Sequence, residues 1–477
     1  MDKMLQNLIH NKSDLRKISI LKILIDANEI VSSYDIAKKL NYTNRTIIND
    51  ISELKTQIPK NWYIESVASK GYRLKKPLIE NVSIVIRGYL VNSALYKILL
   101  AIFEGKYYSL EKWSQLLFLN RTTLRKLLTS FKKILNIYNL DWDYKAVQLL
   151  GDELNIRYFY CIFFNSMQRY ILNFQIHLGL EKNIKKHIRY SRIKVDFNCL
   201  SILLKVFINR ILQKKTLNGK EYFGCIFDSN QKQCLHNIVE ELEKNFSLIL
   251  PENEKEYLYT SIFLITECPT MQIKKNDSYF DLFKKYNFLE YNELFNFIKN
   301  KLTIGNNLKE QFNQYVMYYL YKIFLLKNEN LPITNISYTE IKIKEFSEIS
   351  QKIYFLIKEW VKEINNQILI DAEILYISNK IAHIIYTDAR NIRVLVTLSG
   401  SHIWKKLIYS RLYKELYDSF TLFVEFDDND TYDFIISNYQ MNSSETPVIY
   451  ISEELEKKEL VSINQILTTE ANRRVFV

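Results

Sequence analysis

The chain has 477 residues, a formal net charge of +12, 14% aromatic residues, and only 9 Gly and 6 Pro. This length exceeds that of a typical single domain, and the aromatic content excludes an intrinsically disordered chain. Because Gly and Pro are the residues that most often interrupt helices, their scarcity predicts a mainly α multidomain protein.

Positive charge is concentrated in the first third of the chain. Residues 1–150 hold 24 Lys and Arg against 13 Asp and Glu, whereas residues 390–477 hold 10 against 13. A local basic excess is typical of a surface that binds nucleic acid or an anionic membrane. The sequence starts with no cationic stretch followed by an apolar run, and its apolar patches are too short to cross a bilayer. We therefore expect a cytoplasmic protein without a membrane partner.

The cysteines are too scattered to predict a metal site. They are Cys161, Cys199, Cys225, Cys234 and Cys268, and no CxxC pair occurs. We expect reduced thiols with a structural role, no metal and no cofactor.

Residues 33–55 predict two short helices joined by a tight turn, preceded by a helix that Ser13 caps. Ser33 is predicted to cap the first helix of the pair and Thr43 the second. The predicted inner face of the second helix is Ile47, Ile48, Ile51 and Leu54. Its outer face carries polar side chains, Asn44, Arg45, Thr46, Asn49 and Ser52. A helix-turn-helix presents such a face to the major groove of DNA, whereas an ordinary helical hairpin would leave it in solvent.

A β-hairpin is predicted directly after this pair. Pro59 ends the second helix, and residues 62–74 follow with Gly71 at the turn, where a positive φ is often needed. Helices followed by a hairpin make a winged helix-turn-helix. Its wing offers Lys70 and Arg73 to the phosphate backbone.

A second copy of the pattern is predicted 76 residues further on. At this offset Asn44-Arg45-Thr46 falls on Asn120-Arg121-Thr122, and a second hairpin is predicted at residues 140–150. Nothing about folding requires a matching exposed triplet, so the match favours a second DNA-binding module. The residues predicted to contact DNA in this module are Asn120, Arg121, Thr122, Thr123, Arg125 and Lys126.

The chain resembles the Mga/AtxA family of virulence regulators of Gram-positive bacteria. The residues that carry the resemblance are the first helix-turn-helix with its Ser-Lys-Gly-Tyr-Arg-Leu wing at 69–74 and the Leu-Gly-Asp-Glu-Leu-Asn-Ile-Arg segment at 150–157. The resemblance implies a transcription regulator with winged helix-turn-helix modules at 1–78 and 79–155. It further implies helical domains like the phosphotransferase-regulation domain (PRD) at 156–300 and 301–389, a small α/β domain like a transporter IIB component at 390–477, and self-association.

PRD-like domains usually carry histidines that a phosphocarrier of the sugar phosphotransferase system modifies. The family spacing places one about seven residues before Arg210, where this chain has Leu203, and no histidine occupies the other expected positions. His187 and His383 are the remaining candidates for phosphorylation, although neither occupies a position that the family spacing gives. A surface or helix-packing imidazole is the alternative at both.

From residue 390 strands alternate with helices, which predicts a small parallel α/β layer. No Cys or His directly follows its first strand, so we expect no phosphotransfer there and no enzymatic activity. The function predicted is a regulator that binds double-stranded, AT-rich promoter DNA as a homodimer and is tuned through its PRD-like domains. The alternatives are an RNA-binding antiterminator with the same helical domains and a phosphotransfer protein of the sugar system.

Overall fold

A computed structural model describes residues 3–27, 29–77, 80–171, 178–191, 193–217, 227–268, 289–302, 309–333, 344–364, 369–388, 392–416, 421–423, 432–441, 446–452 and 454–475. Helices predominate among them, as predicted. The chain divides into two compact units, one made of Met1–Pro269 with Leu326–Thr339 and the other of Thr270–Leu325 with Glu340–Val477.

The first module comprises three helices and a hairpin, preceded by a short helix that was not predicted. The preceding helix is α1 (Lys3–Leu8), and the module consists of α2 (Lys12–Asp26), α3 (Ser33–Leu40), α4 (Asn44–Gln57), β1 (Tyr63–Val67) and β2 (Gly71–Lys75). The strands pair antiparallel, from Tyr63 opposite Lys75 to Val67 opposite Gly71. A separate core holds the module together. It contains side chains of α2, α3, α4 and β1, such as Ile20 and Ile47, together with Trp62 just before β1 and Val85 from the next helix along the chain.

Two of the predicted caps are wrong by one or two residues. Asn11, rather than Ser13, caps α2, because its Oδ1 accepts a hydrogen bond from the Ser13 amide at 2.9 Å. Ser32, rather than Ser33, caps α3, because its Oγ accepts from the Asp35 amide at 3.0 Å and donates to the Asp35 carboxylate at 2.6 Å. The cap predicted at Thr43 is confirmed.

The second module repeats this order of elements. It contains α5 (Ser83–Asn92), α6 (Ala94–Phe103), α7 (Leu110–Leu117), α8 (Arg121–Ile137), β3 (Asp141–Asp143) and β4 (Gln148–Leu150), with the two strands antiparallel. No single helix in the described ranges is long and apolar enough to cross a membrane. The pair α5 and α6 meets those criteria only when joined across a 74° bend.

A helical layer follows without a break in the hydrophobic core. It consists of α9 (Glu153–Met167), α10 (Leu178–Ser191), α11 (Phe197–Leu212), α12 (Ser229–Phe246) and α13 (Glu252–Ile265). Side chains of the second module such as Leu128 and Trp142 belong to one buried cluster with Phe159 and Phe207 of this layer. The predicted limit between residues 155 and 156 falls inside α9, so this module and the helical layer are not separated there.

A buried ion-pair network joins three helices of the layer. The Arg157 guanidinium, fully buried, donates to Glu254 at 2.6 and 3.1 Å and to Glu153 at 3.0 Å. Arg210, from which the expected histidine position was counted, donates to Glu153 at 2.7 and 2.9 Å. Four charged side chains from α9, α11 and α13 thereby satisfy one another away from water.

The second unit begins with further helices, α14 (Leu289–Lys301), α15 (Lys309–Asn328), α16 (Lys344–Glu363) and α17 (Asp371–Asp388). The last residues of α15, from Leu326, belong to the first unit. The limit predicted between residues 300 and 301 falls inside α14. The five-domain division stays a prediction.

The C-terminal part is a parallel sheet with helices, as predicted. It contains β5 (Arg393–Thr397), α18 (His402–Leu416), β6 (Thr421–Phe423), β7 (Phe434–Ser437), β8 (Val448–Tyr450) and α19 (Lys457–Val475), and the strand order is β6-β5-β7-β8. All three strand pairs are parallel. The helices bury Leu412 and Leu467 in a core with Val394 and Ile436.

Candidate nucleic-acid interface

The first turn of α4 is capped and open to solvent. The Thr43 hydroxyl accepts from the Thr46 amide at 3.3 Å and lies 2.8 Å from the Thr46 hydroxyl. Asn44, Arg45 and Asn49 are exposed, and Thr46 is half-buried. These residues, predicted from the sequence, therefore do form an accessible polar surface at the positive end of a helix dipole.

The inner face of α4 differs from the prediction at two positions. Ile48 is 41% exposed, whereas Asp50 is only 3% exposed. At about 100° per residue the buried seam passes through Ile47, Asp50 and Leu54, and Ile48 lies one step outside it. A carboxylate that the sequence analysis did not place on the inner face therefore lies on an otherwise apolar seam.

An ion pair with a cation from α2 compensates for the burial of Asp50. The Arg16 guanidinium donates to both Asp50 oxygens, through Nε to Oδ2 and through Nη2 to Oδ1 at 3.0 Å, and the Ser13 hydroxyl donates to Oδ1 at 3.3 Å. The same guanidinium lies 4.6 Å from the centre of the Tyr42 ring, in the turn before α4. Arg16 thus connects α2 to the turn before α4 and to α4 itself, the helix predicted to enter the major groove. We call α4, and its counterpart α8 in the second module, the recognition helices. Sequence reasoning missed this pair, since 34 residues separate its members.

The first wing is held close to the helix pair at Gly71. Its φ is +133°, and a Cβ there would lie 2.2 Å from the Val31 carbonyl oxygen. The amides and carbonyls of Val31 and Tyr72 exchange two hydrogen bonds of 2.9 Å. Only glycine permits this approach, which fixes the wing beside the start of α3.

The two cations predicted in this wing have different surroundings. Lys70 is exposed, whereas Arg73 donates to Glu65 on the facing strand at 2.9 and 3.2 Å. Lys75 adds a third contact to the same carboxylate at 3.0 Å. The hydrogen bonds from Arg73 and then Lys75 hold the pKa of Glu65 below its ordinary value. A phosphate contact by Arg73 would therefore compete with Glu65.

The first turns of α8 carry more positive charge than those of α4. The Asn120 side chain caps the helix by accepting from the Thr122 amide at 3.0 Å. The residues predicted to contact DNA here are all exposed, namely Asn120, Arg121, Thr122, Thr123, Arg125 and Lys126. The helix contains no Asp or Glu along its whole length.

The two modules superimpose in sequence at an offset of 77, not the predicted 76. Ser32 and Ser109 cap the first helices, Asn41 and Phe118 end them in the left-handed conformation, and Thr43 and Asn120 cap the recognition helices. At this offset Asn44 corresponds to Arg121 and Arg45 to Thr122. The match between Asn44-Arg45-Thr46 and Asn120-Arg121-Thr122 is therefore a coincidence of composition, because the structural alignment shifts one triplet by one residue against the other.

The second wing packs directly on α8. The Trp142 indole N–H donates to the Leu128 carbonyl at 2.9 Å, and Lys132 pairs with Asp141 at 2.6 Å. Tyr144 lies beneath Arg125, whose guanidinium is 5.5 Å from the ring centre. The aromatic ring limits the conformations of the Arg125 side chain at the exposed surface.

The two candidate phosphorylation sites lie on different helices of different units. His187, on α10, has Nδ1 3.3 Å from the Asn237 amide nitrogen and Nε2 3.8 Å from the Glu241 carboxylate. His383, on α17, is exposed.

No three His, Cys, Asp or Glu side chains converge on a metal-sized site within the described ranges. Burial raises the pKa of both Cys161 and Cys199 to about 12, so both thiols stay protonated at neutral pH. Cys225 lies outside the described residues.

Comparison with known proteins assigns both modules. Residues 16–73 match an HTH domain, and residues 80–164 match the Mga helix-turn-helix domain. The capsule synthesis positive regulator AcpB of Bacillus anthracis is 23% identical over 95% of this chain and 98% of its own length. AcpA, a capsule synthesis positive regulator of the same organism, is 22% identical over 94% and 98%. The anthrax toxin expression trans-acting positive regulator, also from B. anthracis, is 24% identical over 74% of each chain.

The chain is a Mga-like DNA-binding regulator that contains a Mga helix-turn-helix domain. The predicted resemblance and the predicted class of function, a transcription regulator with helix-turn-helix domains, are thereby confirmed. In this Mga-like chain the match of residues 80–164 runs on through most of α9, which agrees with a core shared between the second module and the helical layer.

Proposed function

We propose that this Mga-like regulator places the first turns of α4 and α8 in the major groove of AT-rich promoter DNA. The observation that supports this most directly is common to both helices: a side-chain cap is followed by an exposed first turn without a carboxylate. Such a turn presents free amides, polar side chains and the positive end of a dipole to an anionic duplex.

We expect the two recognition helices to make different kinds of contact with DNA. Asn44 and Asn49 of α4 can each pair with the N6 and N7 edge of adenine, which supports a preference for AT-rich sites. Arg121, Arg125 and Lys126 of α8 supply mainly phosphate contacts, which raise affinity for any sequence. Lys70 and Arg73 extend the phosphate contacts from the first wing.

We further propose that the protein activates transcription in the cytoplasm, as a homodimer and without enzymatic activity. Three relatives are named positive regulators, which supports activation as the output. The resemblance to Mga/AtxA regulators supports self-association, and sedimentation of the full chain measures it. A sedimenting species of monomer mass at micromolar concentration would contradict the dimer.

Titration of DNA binding by fluorescence anisotropy tests the interface. The full chain is compared on an AT-rich duplex, a GC-rich duplex of equal length and an RNA hairpin, between 50 and 200 mM salt. Arg121→Ala should weaken binding to both duplexes and reduce the slope of log K against log salt by about 1. Asn49→Ala should instead reduce the preference for the AT-rich duplex, with little change in the slope.

Lys244→Ala is the matched control, because Lys244 is an exposed cation on α12, outside both modules. It should bind DNA as the parent chain does. Equal binding by the parent and the Arg45→Ala/Arg121→Ala double variant would refute the assignment of the recognition helices. Tighter binding to the RNA hairpin would favour an antiterminator.

We propose His383, in preference to His187, as the residue through which a phosphocarrier of the sugar phosphotransferase system would tune activity. A phosphoryl group on His187 Nε2 would lie against the Glu241 carboxylate, so like charges would oppose it. Incubation with phosphocarrier protein followed by mass spectrometry should find phosphohistidine at His383 and not at His187. Absence of phosphohistidine from the whole chain would remove phosphocontrol.

A further inference from the structure

Phe118 combines two unfavourable features in the second module. It ends α7 in the left-handed conformation, with φ 54° and ψ 39°, and its side chain is 95% exposed. A bulky L-residue rarely adopts this backbone conformation, because its Cβ crowds the following carbonyl. A fully exposed phenyl ring gains nothing from burial to offset that strain.

The first module shows what folding alone would select. Its equivalent residue is Asn41, with φ 58° and ψ 50°, and asparagine tolerates this conformation well. The turn after Phe118 is fixed in the same way as the first, since the Leu119 amide donates to the Ser114 carbonyl at 3.0 Å. The phenyl ring is therefore held outward on a rigid turn, and strain at an exposed position indicates a contact with a partner.

The surroundings of the ring indicate what that partner is. Two residues after Phe118, Asn120 caps α8, and the exposed cations Arg121, Arg125 and Lys126 follow. No carboxylate occurs in α8 to attract a cationic partner. The apolar ring lies beside the cationic N-terminal end of α8. Such a surface fits a polyanion that also displays apolar groups. DNA is such a polyanion, because its major groove displays thymine methyl groups.

We propose that Phe118 packs against thymine methyl groups when α8 enters the major groove. This inference rests on the proposed function of α8. It assigns a specificity for T over other bases to a residue in the turn before the recognition helix, in addition to the adenine contacts expected from α4. The strain at Phe118 is then retained because asparagine cannot make an apolar contact with a methyl group.

A cycle that changes protein and DNA separately tests this contact. The full chain and Phe118→Asn are each titrated with an AT-rich duplex and with the same duplex carrying deoxyuridine in place of thymidine, which removes only the methyl group. The parent chain should bind the deoxyuridine duplex about fourfold more weakly for each methyl group contacted. Phe118→Asn should bind both duplexes equally, at the weaker affinity.

The thermal midpoint separates lost contact from lost structure. Phe118→Asn should melt at or above the temperature of the parent chain, because the variant relieves the backbone strain. Leu116→Asn, at a partly exposed apolar residue near the end of α7, is the control and should retain the discrimination between the duplexes.

Three results would overturn the proposal. One is equal discrimination between the duplexes by the parent and Phe118→Asn. Another is no discrimination by the parent while Arg121→Ala still weakens binding, which would leave the proposed function intact. The third is unchanged DNA binding by Phe118→Asn with altered sedimentation, which would assign the ring to a protein interface. Failure of the parent to bind any duplex would instead refute the proposed function itself.

Discussion

Asp50 is a charged residue in the core of the first module, and its role there is positional. Its carboxylate lies between Ile47 and Leu54 on the buried seam of α4 and accepts two hydrogen bonds from Arg16. Replacing one partner of such a pair leaves the other without compensation in a poorly solvated site. The pair therefore fixes the orientation of α4 on α2 more than it adds to stability.

We predict that Asp50→Ala lowers the free energy of unfolding of the first module by about 3 kcal/mol. This value is at the lower end of the range for breaking a buried ion pair, because the Arg16 side chain can still reach solvent. Hydrogen exchange of α2 and α4 amides in the full chain measures it. Adding Arg16→Leu to Asp50→Ala should restore part of the loss, because no unpaired guanidinium remains. The exposed Asp26→Ala at the end of α2 should change little. A loss in the double variant equal to the sum of the single losses would contradict coupling.

At the scale of elements, the second wing owes its geometry to two carboxylates on β3, Asp141 at the open end of the hairpin and Asp143 next to its turn. Lys132 and then the Trp142 amide lower the pKa of Asp141, and the Lys145 amide and then the Gln148 side chain lower the pKa of Asp143. Since both folded pKa values lie below the ordinary value of about 3.9, the two carboxylates stabilise the hairpin above about pH 4. That contribution is lost as the pH falls through the folded values.

We predict that thermal stability of the full chain falls less steeply below pH 4 in the Asp141→Asn/Asp143→Asn variant than in the parent. At pH 6 the variant should melt lower, because the ionised groups and their hydrogen bonds are gone. Melting curves between pH 6 and pH 3 measure both effects. Glu111→Gln, at an exposed carboxylate of α7, is the control and should follow the parent. Parallel pH profiles for parent and double variant would show that these groups do not titrate with unfolding.

The elements that the sequence predicts well are those defined by local pattern. The period of apolar residues predicts α4, the glycine at 71 predicts the hairpin, and strand-helix alternation predicts the parallel sheet. The turn itself is residues 68–70, and Gly71 is the first residue of β2. Caps displaced by one residue, as at Ser32, depend on which of two adjacent hydroxyls reaches an amide. The predicted offset between the modules was wrong by one residue, because composition matches Arg45 with Arg121 whereas the structure matches it with Thr122.

At the scale of the whole first unit, the cores of the two modules differ in kind. The first module has its own core, whereas the core of the second extends into α9, α11, α12 and α13. Such continuity depends on contacts between residues far apart in sequence, so no local pattern reveals it. A change in the helical layer therefore reaches the second module through packed side chains. It reaches the first module through α2, which contributes Ile18 to one core and Ile20 to the other, and through α5, which contributes Ile86 and Val85 in the same way.

The N-terminal helix α1 gives this arrangement a measurable consequence. Although α1 precedes the first module in sequence, Leu5 and Leu8 are buried in the core of the second, and the Leu8 carbonyl accepts a hydrogen bond from Ser93 at 2.6 Å. We predict that Leu5→Ala costs about 2–5 kcal/mol, the usual range for a fully buried leucine. Hydrogen exchange should show the loss of protection in α6 and α8, while α3 and α4 keep theirs.

Gln6→Ala is the matched control, because Gln6 lies on the exposed face of the same helix and its replacement should leave exchange in α8 unchanged. Since α8 carries most of the proposed phosphate contacts, Leu5→Ala should also weaken DNA binding without altering any residue at the interface. Loss of protection confined to α3 and α4 would show instead that α1 supports the module next to it in sequence. Normal DNA affinity together with a destabilised α8 would mean that the second module contributes little to binding.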